Sequence, residues 1–294
     1  MSKLPTTYKE QVEILKSRNI IIEDEIFCIN VLSRVNYYRF TAYMLPFKIS
    51  NSHYSNVAFE TIYNIYEFDQ KLRSLLLSAL EEIEITFRAK LAYYHAHKFG
   101  SLGYLDSTNY NSKHRHDSFI DEFNKLVKKN RDNLFVMHHI HNYRGEFPIW
   151  VAVELFSFGM ISKFYADMIP KEQKSFSRQA YDIGFMQLES WILCLSALRN
   201  RCAHHMRLYS YNFNKWPKNT KEMELSNKIF DLIYIMKYFY LNTDKWRNSF
   251  LQDLVSLVEE YAVHIDLDCI GFPKDWETAL RRERQPQLKH PAAR

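Results

Sequence analysis

The sequence is short of glycine and proline, with six Gly and eight Pro in 294 residues. Turn-rich all-β folds draw on both residues for tight connections, so their scarcity argues against one. No Asn-Gly or Asp-Gly dipeptide offers a hairpin turn. Cysteine is sparse as well. Cys28, Cys194, Cys202 and Cys269 contain no CxxC pair, which suggests neither a zinc ribbon nor a disulfide framework. The simplest expectation is a cytoplasmic protein with reduced thiols. No apolar run approaches the roughly 20 residues of a membrane-spanning helix. Residues 1–11 are polar and lack the apolar core of a signal peptide. A Gly-rich phosphate loop, a nucleophile elbow and a paired-carboxylate motif are also missing.

What is present is bulk. Hydrophobic residues make up 47% and aromatics 16%, with 21 Phe and 20 Tyr, enough for a sizeable core. The formal charge of +5 fits an anionic partner without specifying one.

The apolar residues follow helical spacing. Over residues 59–97, Phe68, Leu72, Leu75, Leu76, Ala79, Leu80, Ile83, Phe87 and Leu91 recur every three or four positions, with Glu81, Glu82 and Glu84 on the wet side between them. Shorter helices are expected over residues 7–17, after an Asp24 N-cap, over 119–130 and over 161–168. Residues 187–206, 225–241 and 246–265 complete the set, the last two as amphipathic helices. Residues 100–115 and 138–145 read as loops. The expected fold class is all-α, a helical bundle with an added N-terminal helical lobe. Residues 1–56 would form that lobe, 57–277 the main helical domain, and 278–294 a flexible basic tail. The polar stretch 50–56 would be the joint.

One helix end carries candidate chemistry. Arg199, Asn200 and His204 close the apolar run that begins at Leu188, while Leu188, Ile192, Leu195, Leu198 and Cys202 form the opposite, buried stripe. Asn200 and His204 are four apart and share a face, and Arg199 sits about 100° away. A histidine moves protons near neutral pH, and an arginine fork holds phosphate oxygens and stabilises charge on them. Arg201 and His205 are also four apart, so spacing leaves His204 and His205 both open. The same residues also fit a cationic cap on the last helical turn, favoured by the helix dipole.

Other groups have two readings each. Tyr209, Tyr211, Phe213 and Trp216 interleave with Lys215, Lys218 and Lys221, a pattern that stacks bases and contacts phosphates, or an aromatic loop packed on the bundle. Lys125, Lys128 and Lys129 are a solvated helix face or an RNA contact. Arg88 is structural or faces RNA. Glu154 stands in an apolar run, and Arg199 is a candidate partner for it. The His114–His116 and His138–His141 clusters lack ligand spacing and fall in expected loops, so no metal and no cofactor is expected.

The residues around the motif carry a resemblance. Arg199-Asn200-x3-His204 resembles the R-x4-6-H motif of HEPN domains. The segment Leu198-Arg199-Asn200-Arg201-Cys202-Ala203-His204-His205-Met206-Arg207-Leu208-Tyr209 resembles the signature of abortive-infection AbiD/AbiF-type ("Abi-like") proteins. Three further blocks agree in order: Asn36-Tyr37-Tyr38-Arg39-Phe40, the run from Pro148 to Gly159, and Gly271-Phe272-Pro273-Lys274-Asp275-Trp276. The resemblance implies an α-helical HEPN-type domain that homodimerises with facing motifs and cuts RNA without a metal. It also implies a phage-defence role and a structured non-coding RNA partner. Arg199, Asn200 and His204 would be catalytic, and Arg201, His205, Arg207 and the residues of the aromatic-basic loop would bind RNA. The alternative is a non-catalytic module in which the motif only grips a cognate RNA.

Overall fold

A computed structural model describes residues 4–240 and 242–283. The chain is all-α apart from one parallel pair of two-residue strands, β1 (Ile20–Ile21) and β2 (Val57–Ala58). Around β1 stand three short helices, α1 (Tyr8–Ser17), α2 (Glu25–Arg34) and α3 (Tyr37–Thr41). α1 opens on a capping box between Thr7 and Glu10, and Asp24 accepts from the Phe27 N–H (2.9 Å) as the expected cap of α2.

Everything else is arranged along α4 (Phe59–Phe99), a 41-residue helix that ends at Gly100 with φ 83°. A left-handed residue there costs glycine little, and it turns the chain off the axis. α5 (His116–Lys129) packs Phe119 and Phe123 against Tyr104, Phe147 and Phe156. α6 (Leu134–Asn142), α7 (Ile149–Ala152), α8 (Phe158–Asp167) and α9 (Pro170–Tyr181) follow, then α10 (Phe185–Ala203), which lies on α4 and α8. α11 (Ile229–Met236), α12 (Thr243–Lys245), a π-turn at Trp246–Phe250, α13 (Leu251–Glu260) and α14 (Trp276–Arg281) close the described chain. One continuous hydrophobic cluster runs from Val12 to Leu280. Among the described residues no helix is long and apolar enough to cross a membrane.

Several elements depart from expectation. Residues 138–142, expected in a loop, belong to α6, so His138, His139 and His141 sit on a helix. Helix α9 was not signalled by apolar spacing; Pro170 at its first turn supplies the start. α11 is shorter than the apolar run around it and is buried on all sides rather than amphipathic, because α10 and the segment around Phe272 cover it from different directions. The expected tail falls mostly on residues 284–294, outside the described residues.

The buried face of α4 is not purely apolar. Phe68, Leu72, Leu76, Leu80, Ile83, Phe87 and Leu91 are buried as expected, but Asp69, Arg73, Glu84 and His95 are buried with them. Asp69 and Arg73 form an i,i+4 ion pair with 0% and 5% side-chain exposure. Tyr43 donates to the Asp69 carboxylate (2.6 Å), and so do the N–H groups of Leu208 (3.1 Å) and Tyr209 (2.8 Å). A buried carboxylate needs donors on both oxygens, and Asp69 has them. His95 has none. Its two ring nitrogens are buried without a partner among Phe99, Tyr110 and Phe164.

Two outcomes follow for stability. Asp69→Ala strands the Arg73 charge and two backbone N–H groups, and should lower unfolding free energy by about 3–5 kcal/mol in urea titration, as removal of one partner from a buried pair does. Burial pushes the His95 imidazole down from 6.5 to about 4. Between those values the unfolded chain binds a proton that the folded chain refuses, so stability falls as pH drops from 6.5 to 4. The loss should approach about 3 kcal/mol, and His95→Phe should flatten that part of the pH–stability curve.

Candidate functional site

α10 and α4 run antiparallel where they meet, since Arg199 reaches Glu84 while Leu208 and Tyr209 reach Asp69. The apolar stripe Leu188, Ile192, Leu195, Leu198 and Cys202 is buried, which fixes the rotation of α10 and brings its C-terminal turn to the surface. Asn200, His204 and His205 are exposed there, and Arg199 is partly so.

The Arg199 Nε faces Glu84 Oε2 at 3.1 Å, and Nη1 lies 3.5 Å from Asn200 Oδ1. The Glu84 side chain is only 8% exposed. Its other oxygen accepts from Arg88 Nη2 (2.8 Å), which also donates to the Phe156 carbonyl (3.0 Å). Glu84 was expected on the wet side of α4. It is buried because α10 and the turn at Phe156 cover that face, and its charge is balanced by two arginines. Arg88 is therefore a structural ligand of Glu84 and of a backbone carbonyl. Glu154, the candidate partner of Arg199, instead lies 3.8 Å from Arg88 Nη1. One carboxylate thus aims Arg199 outward, and one edge of its guanidinium stays toward Asn200 and solvent.

The end of α10 is a Schellman turn. Met206 N–H bonds the Arg201 carbonyl (2.9 Å) and His205 N–H bonds the Cys202 carbonyl (3.0 Å). His204 is the C-cap, with φ −90°, and continues the face of Asn200. His205 takes the left-handed position, φ 56°, where glycine is usual, at a cost of about 1 kcal/mol. Arg39 of α3 donates to the His205 carbonyl and holds the turn. The backbone thus separates two histidines that spacing left equivalent: His204 closes the helix with its N–H on the Asn200 carbonyl (2.9 Å), and His205 leaves it through the left-handed turn. Cys202, one turn back, is buried, and burial pushes its thiol up to about 12, so it stays protonated.

The loop after the motif is folded inward more than expected. Tyr209 is 1% exposed, packs edge-on against Phe68 and bonds Asp266 through its hydroxyl, so its ring is not available to a base. Arg201 lies over the Tyr211 ring at 3.3 Å, and its Nε donates to the Arg207 carbonyl (2.8 Å). Those three residues brace the loop. Arg207 keeps one buried guanidinium nitrogen, Nη1, without a hydrogen-bond partner among the described residues. Lys215, Trp216 and Lys218 are exposed; the Lys218 backbone is stapled to α10 by Ser190 (3.0 Å) and Trp191 (2.6 Å). Lys125, Lys128 and Lys129 are exposed on α5, a separate helix from the motif.

The structure therefore sets Arg199 against Asn200 and Glu84, leaves His204 exposed at the same helix end, pairs Glu84 with Arg88, and moves Tyr209 into the core. Sequence reading missed Glu84 and Asp69. The available signal was a repeated one: Asp69-x3-Arg73 and Glu84-x3-Arg88 are carboxylate–arginine pairs at helical spacing on the same helix.

Comparison with known proteins gives one match. A family model described as "Abi-like protein" matches residues 30–210, from α2 through the motif to the loop that Asp69 holds. No curated protein and no solved structure matches the chain. The match covers more than half of the sequence and contains Glu84, Arg199, Asn200 and His204, and the chain belongs to the Abi-like protein family.

Proposed function

We propose that this chain is a metal-independent endoribonuclease with an abortive-infection role, its site built on Arg199, Asn200 and His204. Membership in the Abi-like family supports the role. The observation that carries the chemistry is the aimed arginine. Glu84, held from behind by Arg88, fixes the Arg199 guanidinium beside Asn200 at an exposed helix end that also presents His204. A fixed guanidinium stabilises charge on a phosphate more effectively than a free one, because its reorganisation is already complete.

In this reading the ribose 2′-OH of RNA attacks the adjacent phosphorus. His204 takes the hydroxyl proton, or delivers one to the departing 5′-oxygen. Arg199 holds the phosphate oxygens, and Asn200 orients the phosphate or the imidazole. The products are a 2′,3′-cyclic phosphate and a 5′-hydroxyl. DNA lacks the nucleophile and is spared. Acid and base together need two groups, which a two-fold homodimer with facing motifs supplies. A structured non-coding RNA bound over the same surface would restrain the enzyme.

A second reading, an RNA grip without cleavage, is favoured by the ion pair itself, since Glu84 offsets part of the Arg199 charge before any phosphate arrives. Incubation with total RNA separates the two. RNA fragments ending in 2′,3′-cyclic phosphate, formed in the presence of EDTA, are expected. His204→Ala should slow their formation by about 100-fold or more. Intact RNA bound tightly to the wild-type protein would favour the grip, and cleavage unchanged in His204→Ala would sink the assignment.

A further inference from the structure

A cleft of about 520 Å³ opens between α2, α3, α4 and the end of α10. It lies beside the motif but takes in none of Arg199, Asn200 or His204. Arg34, Arg39, Arg73, Gln70, Ser74 and His205 contribute its polar wall, and no acidic residue lines it. The volume suits a nucleotide-sized ligand, yet the wall is more cationic than that of most such pockets.

The three arginines differ in how far they are compensated. Arg73 is neutralised by Asp69 behind it. Arg39 is only tethered, through the His205 carbonyl. Arg34 bonds its own helix, Nε to the Asn30 carbonyl at 3.2 Å, and is exposed. Two guanidinium groups therefore face the cleft without a carboxylate partner among the described residues. Guanidinium pairs of this kind match phosphate oxygens in fork geometry. His205 joins them because the left-handed turn at φ 56° swings it off the face of His204 and into this wall. The two adjacent histidines thus serve two neighbouring places: His204 stands with Arg199, and His205 with Arg34 and Arg39.

We propose that the cleft seats a second phosphate of the same RNA strand, flanking the bond that the Arg199–His204 end cuts. Arg34 and Arg39 grip that phosphate, and Gln70 and Ser74 donate to its sugar or oxygens. The inference rests on the ribonuclease reading for the identity of the ligand, but the phosphate chemistry stands on the cleft alone.

The test uses an uncleavable strand, so that it does not depend on catalysis. Binding of a 2′-O-methyl RNA oligonucleotide is measured against salt for the wild type, Arg34→Gln and Ser74→Glu. Ser74→Glu removes no arginine and puts a negative charge on an exposed helical position in the wall. Each variant should bind about ten-fold more weakly, and Arg34→Gln should reduce the slope of log K against log salt by about 0.7, the value for one phosphate contact on a single strand. Equal affinity and equal slope in all three proteins would overturn the proposal. AMP binding more tightly than the oligonucleotide would assign the cleft to a free nucleotide and overturn the strand assignment. If the wild type binds no oligonucleotide, the ribonuclease reading has failed, and inorganic phosphate alone tests the cleft. A rise in Tm with phosphate that is lost in Ser74→Glu supports an anion seat, and no rise in the wild type overturns it.

Discussion

A single carboxylate with no exposed surface, Asp69, ties the functional end of the molecule to its core. It sits on the longest helix, between Phe68 and Leu72, where burial of an unpaired charge would be prohibitive. Arg73, Tyr43 and two backbone N–H groups make it tolerable. The last two belong to Leu208 and Tyr209, the residues that leave the motif. The position of the loop is thus dictated by the hydrogen-bonding needs of a distant aspartate. The Schellman turn at His205 and the Arg39 tether lie between that anchor and α10, and the Arg201–Tyr211 stack spans it from α10 to the residue two beyond. Asp69 fixes the backbone of that loop, and the Tyr209 hydroxyl on Asp266 fixes its side chain.

Much of this molecule was readable from the chain itself, and the reasons for the remainder are specific. The long helix, the buried stripe of α10 and the Asp24 cap follow from spacing and side-chain chemistry, which are local. Glu84 was not readable as buried, because Glu81 and Glu82 surround it with the look of a wet row. The turn at Phe156 and then α10, more than a hundred residues later, cover that face. Tyr209 was misjudged for a related reason. A loop has no period, so alternating aromatics and lysines do not say which ring turns inward. α11 differs in another way: its apolar run marks a buried segment, and a run buried on all sides carries no amphipathic period from which its helical bounds could be read. The distinction between His204 and His205 required the left-handed turn, which no spacing rule reveals.

The candidate site is also a compromise between rigidity and charge. Glu84 fixes Arg199 but partly offsets its positive charge, while Arg88 restores the balance from behind. The Arg199 guanidinium gains orientation at the expense of field strength. The neighbouring cleft shows the opposite choice, with Arg34 exposed and uncompensated and Arg39 held only by a carbonyl. An uncompensated cationic wall thus lies beside one arginine whose charge is tempered and whose direction is fixed.

The two carboxylate–arginine pairs of α4 carry a consequence for how this chain can vary. Asp69 and Glu84 are fifteen residues apart, about 22 Å along the axis at 1.5 Å per residue. The first grips the loop after the motif and the second grips the motif itself. α4 therefore works as a ruler with two marks. A single residue inserted between Arg73 and Glu84 would rotate one mark about 100° relative to the other, and α10 and its loop could then satisfy only one of them. Length is expendable in the connections of this protein, but within those fifteen residues it is part of the site.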